Sequence, residues 1–140
     1  GTIGLDAKKF VWKLFFNSRG HFCIRPTDDP EWVRDEVKRL GLHGLKCYHT
    51  HSAFRPIWES PISTYLPEPF WRIAHEQEWT ITLHMVKRYC VADPENQQEI
   101  LTLCRRYPGV RLILAHSARA FNPQHNLDGL EAIRTLDNVW

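Results

Sequence analysis

The sequence predicts an α/β fold, and within that class an arc of a (β/α)8 TIM barrel. Three observations carry the prediction. From Phe22 onward, short apolar runs and longer amphipathic runs follow one another about four times over, the rhythm of parallel strands joined by helices. No strand is followed by a Gly-x-Gly-x-x-Gly or a Walker-type loop, which removes support for a nucleotide-binding open sheet. Two strands, "TITLHM" and "RLILAH", each carry a histidine near the C-terminal end, His84 and His116, on the side where a parallel barrel gathers its functional groups. An open α/β sheet with both histidines in its core satisfies the same rhythm and stays as the rival architecture.

Each element has a local reason. "HFCIRP" is a strand that Pro26 and the Asp28-Asp29-Pro30 turn terminate. Pro30 opens a helix, because its missing N–H is not needed in the first turn. In "PEWVRDEVKRLGL" Val33, Val37 and Leu40 recur at helical spacing, and Gly41 supplies the stop. "HGLKCYH" is the next strand. The long loop "THSAFRPIWESPISTYLPE" leads into the helix "PFWRIAHEQEW", which turns Phe70, Ile73 and Ala74 to one side. "TITLHMV" is a strand rich in β-branched residues. After Asp93-Pro94, "ENQQEILTLCRRY" is a helix with Ile100, Leu101 and Cys104 on one face, and "PGV" ends it. "RLILAHS" is the most apolar strand, "NLDGLEAIRTL" a helix, and "NVW" the start of another strand. Residues 1–21 are poorly placed by any of these signals. Trp32, Trp71 and Trp79 lie on or beside helices and are expected to pack them onto the sheet, while Trp58, in the long loop, is placed to wall a pocket.

Composition narrows the class. A chain of 140 residues is long enough for one domain, 1–140, with a core of its own. Its 43% hydrophobic and 24% charged content are those of a soluble globular protein. No apolar run approaches the roughly 20 residues that span a bilayer, and no leader-like segment opens the chain, so a cytoplasmic protein without a membrane partner is expected. The net charge of +2 is dispersed, with no basic block to follow phosphates, which argues against nucleic acid. Cys23, Cys47, Cys90 and Cys104 form no CxxC pair; reduced, mostly buried thiols are expected rather than a zinc knuckle or disulfides.

An imidazole at the end of an apolar strand costs on the order of 1–3 kcal/mol unless its nitrogens are paired. Repeating that cost on two successive strands points to a shared purpose for His84 and His116. The plainer reading is two core histidines bonded to loop carbonyls.

The stretch "WTITLHM", then an amphipathic helix, then "RYPGVRLILAHSAR", resembles the fifth and sixth strands of the amidohydrolase superfamily, in particular its amidohydrolase-related branch of metal-dependent hydrolases and decarboxylases. The resemblance extends more loosely from about Phe22 to the C-terminus. It implies that His84 is a metal ligand and that His116 is either a second ligand or the catalytic group that deprotonates a metal-bound water. The implied cofactor is a divalent ion, zinc by preference for neutral imidazole. The implied reaction is hydrolysis or decarboxylation of a small, carboxylated substrate by the activated water.

The run "KCYHTHSA" offers a His-x-His pair, His49 and His51, of the kind that family uses on its first strand. By order of elements, however, this is the fourth strand, so the pair is not expected to hold the metal. Strand alternation puts Lys46, Tyr48 and Thr50 on one face and His49 and His51 on the other, unless the strand has already ended. Lys46, Tyr48, His49 and His51 are expected to line the substrate pocket. For Lys46, a carboxylated bridging lysine is the alternative, and a lysine that meets substrate or an acid is favoured. Arg119 could meet a substrate carboxylate bidentately or lie solvated in its loop. Arg88 has the same two readings, with the solvated one ahead, and His75 and His125 are expected to be ordinary surface residues.

The family's first-strand His-x-His and its eighth-strand aspartate have no counterpart here. "GTIGLD" resembles a strand of TatD-type deoxyribonucleases, but the glutamate of that motif falls at Thr2, which excludes it. A full barrel needs roughly 250 residues, so the chain is expected to cover about strands three to seven of a longer parent. An open arc leaves two sheet edges and one face uncovered, from which association with another copy is expected. A barrel that has lost its metal site and serves as a non-catalytic interaction domain is the alternative function.

Overall fold

A computed structural model describes residues 20–119 and 129–140. Residues 1–19, His125 and the first residues of the last anticipated helix therefore lie outside it. Four strands form one parallel sheet in sequence order: β1 (His21–Cys23), β2 (Gly44–Tyr48), β3 (Thr80–His84) and β4 (Arg111–Leu114). Between them run α1 (Pro30–Arg39), α2 (Glu68–Glu76) and α3 (Pro94–Arg106). A four-residue helical turn, α4 (Ala115–Ala118), follows β4, and α5 (Leu130–Ile133) precedes the last segment. Leu112 bridges to Val139 in parallel, so the "NVW" segment does pair with β4 as a further strand would.

The helices begin where short-range chemistry puts them. Asp29 and Asp93 cap α1 and α3: the Asp29 carboxylate accepts from the Glu31 N–H at 3.1 Å, and that of Asp93 from the N–H groups of Glu95 and Asn96 at 3.0 and 3.2 Å. Each cap is followed by a proline, whose fixed φ suits the first helical position. Gly41, at φ +64, ends α1 as expected, with the Leu42 N–H reaching back to the Val37 carbonyl at 2.9 Å.

The sequential strand order decides the winding. Parallel crossovers are right-handed, so strands laid down one after another in the same direction carry all their helices on one face. That face holds the core: Leu45, Cys47, Ile81, Leu83, Leu112 and Leu114 from the strands meet Val33 and Val37 of α1, Phe70, Trp71, Ile73 and Ala74 of α2, and Ile100, Leu103 and Cys104 of α3. The register lines up the other set of side chains, with Cys23, Lys46, Thr82 and Ile113 abreast in one row and Tyr48 beside His84 in the next. Apart from Gly44 and His84, which are buried, this second face carries half-buried and exposed residues. One covered face and one polar face are the arrangement of a barrel wall, and the four-stranded α/β sheet is compatible with part of a TIM barrel. The open sheet with helices on both sides does not match. At Gly44 the strands come so close that a Cβ would sit 2.2 Å from the Thr80 carbonyl oxygen, so only glycine fits between β1 and β3.

Two expectations need correction. "RLILAHS" is not a strand to its end: β4 stops at Leu114, and His116 sits in α4 at φ +58, which aims it differently from a strand residue. Trp32 packs edge-on against Phe22 of β1, ring centroids 5.9 Å apart, yet stays 51% exposed because it lies off the buried stripe of α1; Trp71 and Trp79 are buried as expected. The long loop is less irregular than its prolines suggest, since it folds into three short 3-10 turns, His49–His51, Ile57–Glu59 and Ile62–Thr64. Among the described residues no helix is long and apolar enough to cross a membrane.

Candidate active site

The C-terminal ends of β2, β3 and β4 bring together the residues singled out above. Tyr48 and His84 are register partners on adjacent strands, and their rings stack at 4.4 Å and 24°. The His116 ring lies 5.0 Å from that of His84 at 63°. Lys46, two residues before Tyr48 on the same face, holds Nζ 5.1 Å from the Tyr48 ring centroid. Because β2 ends at Tyr48, alternation no longer governs His49 and His51, which leave in a 3-10 turn. His51 packs edge-on to Tyr48 at 6.4 Å and donates from Nδ1 to the Ile24 carbonyl at 3.3 Å.

Burial and charge favour the neutral form of His84, His49 and His21. His84 is 8% exposed, and its Nε2 is buried without a hydrogen-bond partner. Burial first, then the charge of Lys46 and the neighbouring His116 and Arg119, push its pKa down to about 4. His49 is lowered for the same reasons, burial first and Arg119 second, and its Nδ1 is also buried without a hydrogen-bond partner. His21, whose Nδ1 lies 2.8 Å from the Thr82 hydroxyl, is lowered by burial and by Lys46 and His43. The groups that act on these three imidazoles are basic, and no carboxylate is among them. Such a field favours an anionic ligand.

The backbone at the exits of β3 and β4 is unusual. Lys87, Cys90, His116, Ala118 and Arg119 all have φ between +46 and +77, a region that non-glycine residues seldom occupy and that clusters at functional sites. The 86–92 loop is held from below. Asn96, fully buried, donates from Nδ2 to the carbonyls of Val86 and Cys90 at 2.8 Å each, and Gln97 donates to those of Val91 and Gly129 at 3.0 and 2.8 Å. The Lys87 N–H bonds the Trp58 carbonyl at 2.8 Å and so joins this loop to the one after β2. Between them opens a cleft of about 360 Å³ lined by Trp58, Glu59, Val86, Lys87, Arg88, Cys90 and Arg119. Trp58 thus walls a cleft, as its loop position suggested.

The model of one protein family, described as Amidohydrolase, matches residues 18–140. The chain belongs to the amidohydrolase family. No curated protein and no solved structure gives a significant match to it. A family of hydrolases and decarboxylases that is generally metal-dependent gives the paired histidines a context, and the described residues can be tested against a metal ion. Two imidazoles on one tetrahedral ion, with bonds of roughly 2.0–2.1 Å, have ring centroids roughly 5 Å apart; the His84–His116 separation is 5.0 Å. The bare, buried Nε2 of a neutral His84 suits a ligand, since a metal takes the unprotonated form. Among the described residues, however, no group of three or more His, Cys, Asp or Glu side chains could hold an ion. The described part of this amidohydrolase chain therefore brings two imidazoles to one end of the sheet in a basic setting and no complete ligand set.

His21, Asn96 and Gln97 were not singled out from the sequence. Alternation alone could have found His21, which lies on the same sheet face as Lys46 and His84. Nothing local marks Asn96, because its partners are loop carbonyls that only folding brings to it. His75, expected to be ordinary, accepts from the Gly109 N–H at 2.9 Å and ties α2 to the turn before β4.

Proposed function

We propose that this chain supplies part of the active site of a metal-dependent hydrolase or decarboxylase acting on a small carboxylated molecule. The observation that supports it best is His84: a buried imidazole kept neutral, with an unpartnered Nε2, facing a second imidazole 5.0 Å away. A buried ring nitrogen ordinarily pairs with a carbonyl or hydroxyl, and among the described residues Nε2 of His84 meets none. His84 would hold the ion, zinc by the preference of neutral imidazole, and His116 would hold it with His84 or take the proton from the attacking water. Bound there, such an ion supplies Lewis-acid activation of water and of the substrate oxygen. Lys46, Tyr48, His49, His51 and Arg119 line the same end of the sheet, and the positive charges of Lys46 and Arg119 draw and orient the substrate carboxylate. For Lys46 this is the reading in which it meets the substrate; among the described residues it makes no ion pair with an acid. Three buried free thiols, Cys47, Cys90 and Cys104, fit a reducing cytosol.

The experiment is metal analysis of the full-length protein beside its His84→Ala variant. Near one or two divalent ions per chain are expected in the parent, with metal content and turnover falling together in the variant. Metal content that stays intact without His84 would sink the assignment.

A further inference from the structure

The two flanks of α1 differ. On the flank toward α2, Glu31 pairs with Arg72 at 3.3 Å. Helical spacing turns Trp32, Glu36 and Arg39 to the other flank, on the side of β1 away from β2. Glu36 and Arg39 satisfy each other with bonds of 2.9 and 2.7 Å. Trp32 is less well provided for, since its indole packs edge-on to Phe22 and is still 51% exposed. Phe22 points to the helical side of β1, between His21 and Cys23 on the inner side, and is half-buried. The two rings make an apolar step at the end of the helix layer that the described residues leave partly open.

The chain that leads into this edge fits the step. The Gly20 carbonyl accepts from the His43 N–H at 2.9 Å, which fixes where the preceding residues enter, at the N-terminal end of β1. With that point fixed, the segment ahead of it gains a place that its own sequence does not supply. In "AKKFVWKLFFNSR", residues 7–19, Phe10, Val11, Leu14 and Phe15 recur at i, i+1, i+4 and i+5, one stripe of a 3.6-residue period, with Lys9, Lys13, Phe16 and Asn17 off it. Asp6 before it and Gly20 after it are residues that start and stop helices. As a helix the segment would be roughly 20 Å long, against roughly 15 Å for the ten residues of α1, enough to lie along the whole of it. Two surfaces beside β1 are within its reach. The inner face offers Cys23, Lys46 and Thr82, whereas the helical side offers Phe22 and Trp32. The apolar stripe selects the second, and so does the handedness of parallel crossovers, which sets helices on the side where α1 already lies.

We propose that residues 7–19 dock as a helix on the Trp32–Phe22 step, with Phe10, Val11, Leu14 and Phe15 turned toward it, and so extend the helix layer past α1. The occupant is the chain's own segment rather than a second copy, because Gly20 already tethers it beside the step and a short tether leaves little loop-closure entropy to lose.

The test is photo-cross-linking of the full-length protein with p-benzoylphenylalanine in place of Trp32, a position exposed enough to accept it. After irradiation and tryptic digestion, the peptide holding position 32 is expected to be joined to residues 10–13 or 14–19 of the same chain. Trypsin cleavage of the folded protein after Lys9 and Lys13 is the second readout, since it follows the opening of the contact. It should be about tenfold faster in Trp32→Ser and in Phe15→Ser, and no faster in the double variant than in either single one, as expected when both remove the same contact. Phe16→Ser, next in the chain but off the stripe, should cleave at the parent's rate. Cross-links to another part of the chain, a cross-linked dimer, no cross-link at all, or cleavage as fast in Phe16→Ser as in Phe15→Ser overturns the proposal.

Discussion

Asn96 offers the sharpest test of how the site is held. It lies in the first turn of α3, is fully buried, and its amide nitrogen is the shared donor to the carbonyls of Val86 and Cys90, both at 2.8 Å. Replacing it with alanine leaves two buried carbonyls without partners, at about 1–3 kcal/mol each for an unsatisfied group. Part of that loss is offset, because Asn96 Oδ1 is itself buried without a partner, and its removal relieves a cost of similar size. The net expectation for Asn96→Ala is about 2–3 kcal/mol of destabilisation. Asn96→Asp should be worse near neutral pH, since a carboxylate would face two carbonyl oxygens with no proton to donate. With a urea m-value of about 1–3 kcal/mol/M, the alanine variant should lower the unfolding midpoint by about 0.7–3 M at unchanged slope. Hydrogen exchange at the Lys87 amide, whose bond to the Trp58 carbonyl depends on the loop staying in place, should speed up in parallel. A midpoint within error of the parent, or an aspartate variant as stable as the parent, would refute the argument that this amide holds the loop.

Other outcomes follow from the same geometry. Gly44→Ala should cost about 3 kcal/mol, at the top of the range for overpacking, because the new Cβ meets backbone at 2.2 Å and cannot rotate away. Gly41→Ala, at φ +64 with open space around it, should cost only about 1 kcal/mol of backbone strain; equal thermal shifts for the two variants would contradict the register at Thr80. The histidines set an acid limit. His21, His49 and His84 all have folded pKa values below the ordinary 6.5, so on acidification the unfolded chain takes up protons that the folded chain does not. Their contribution is present above pH 6.5 and is lost as the pH falls through the lower folded values. Urea midpoints should therefore drop between pH 7.5 and 5.5, and His21→Asn, which can keep the bond to Thr82, should lessen the drop; a midpoint that rises on acidification would reverse the sign of this reasoning.

The order of strands and helices was readable because its causes are local. An aspartate before a proline marks a helix start wherever it sits, as Asp29-Pro30 and Asp93-Pro94 do, and a parallel strand with its apolar face on helices shows itself in runs such as "TITLH". The placement of His84 at the end of β3 came from the same source. His116 was named correctly as a neighbour of His84 but drawn on the wrong element: an apolar run does not show where the ladder stops, and β4 ends two residues sooner. Trp32 failed for a related reason. The helical spacing of Val33 and Val37 already defined the buried stripe of α1, and Trp32 lies off it, so its size was given more weight than its phase.

What the sequence by itself determined, then, is the βα succession, the helix limits, and which strand ends bear imidazoles, since caps, turns and hydrophobic period act over a few residues. The tertiary structure decided the rest. It put α1, α2 and α3 on one face, stacked Tyr48 on His84, brought His116 to 5.0 Å, and built the Trp58–Arg88 cleft on Asn96. These are through-space relations between residues far apart in the chain, set by strand register and crossover handedness, and no short stretch of sequence contains them.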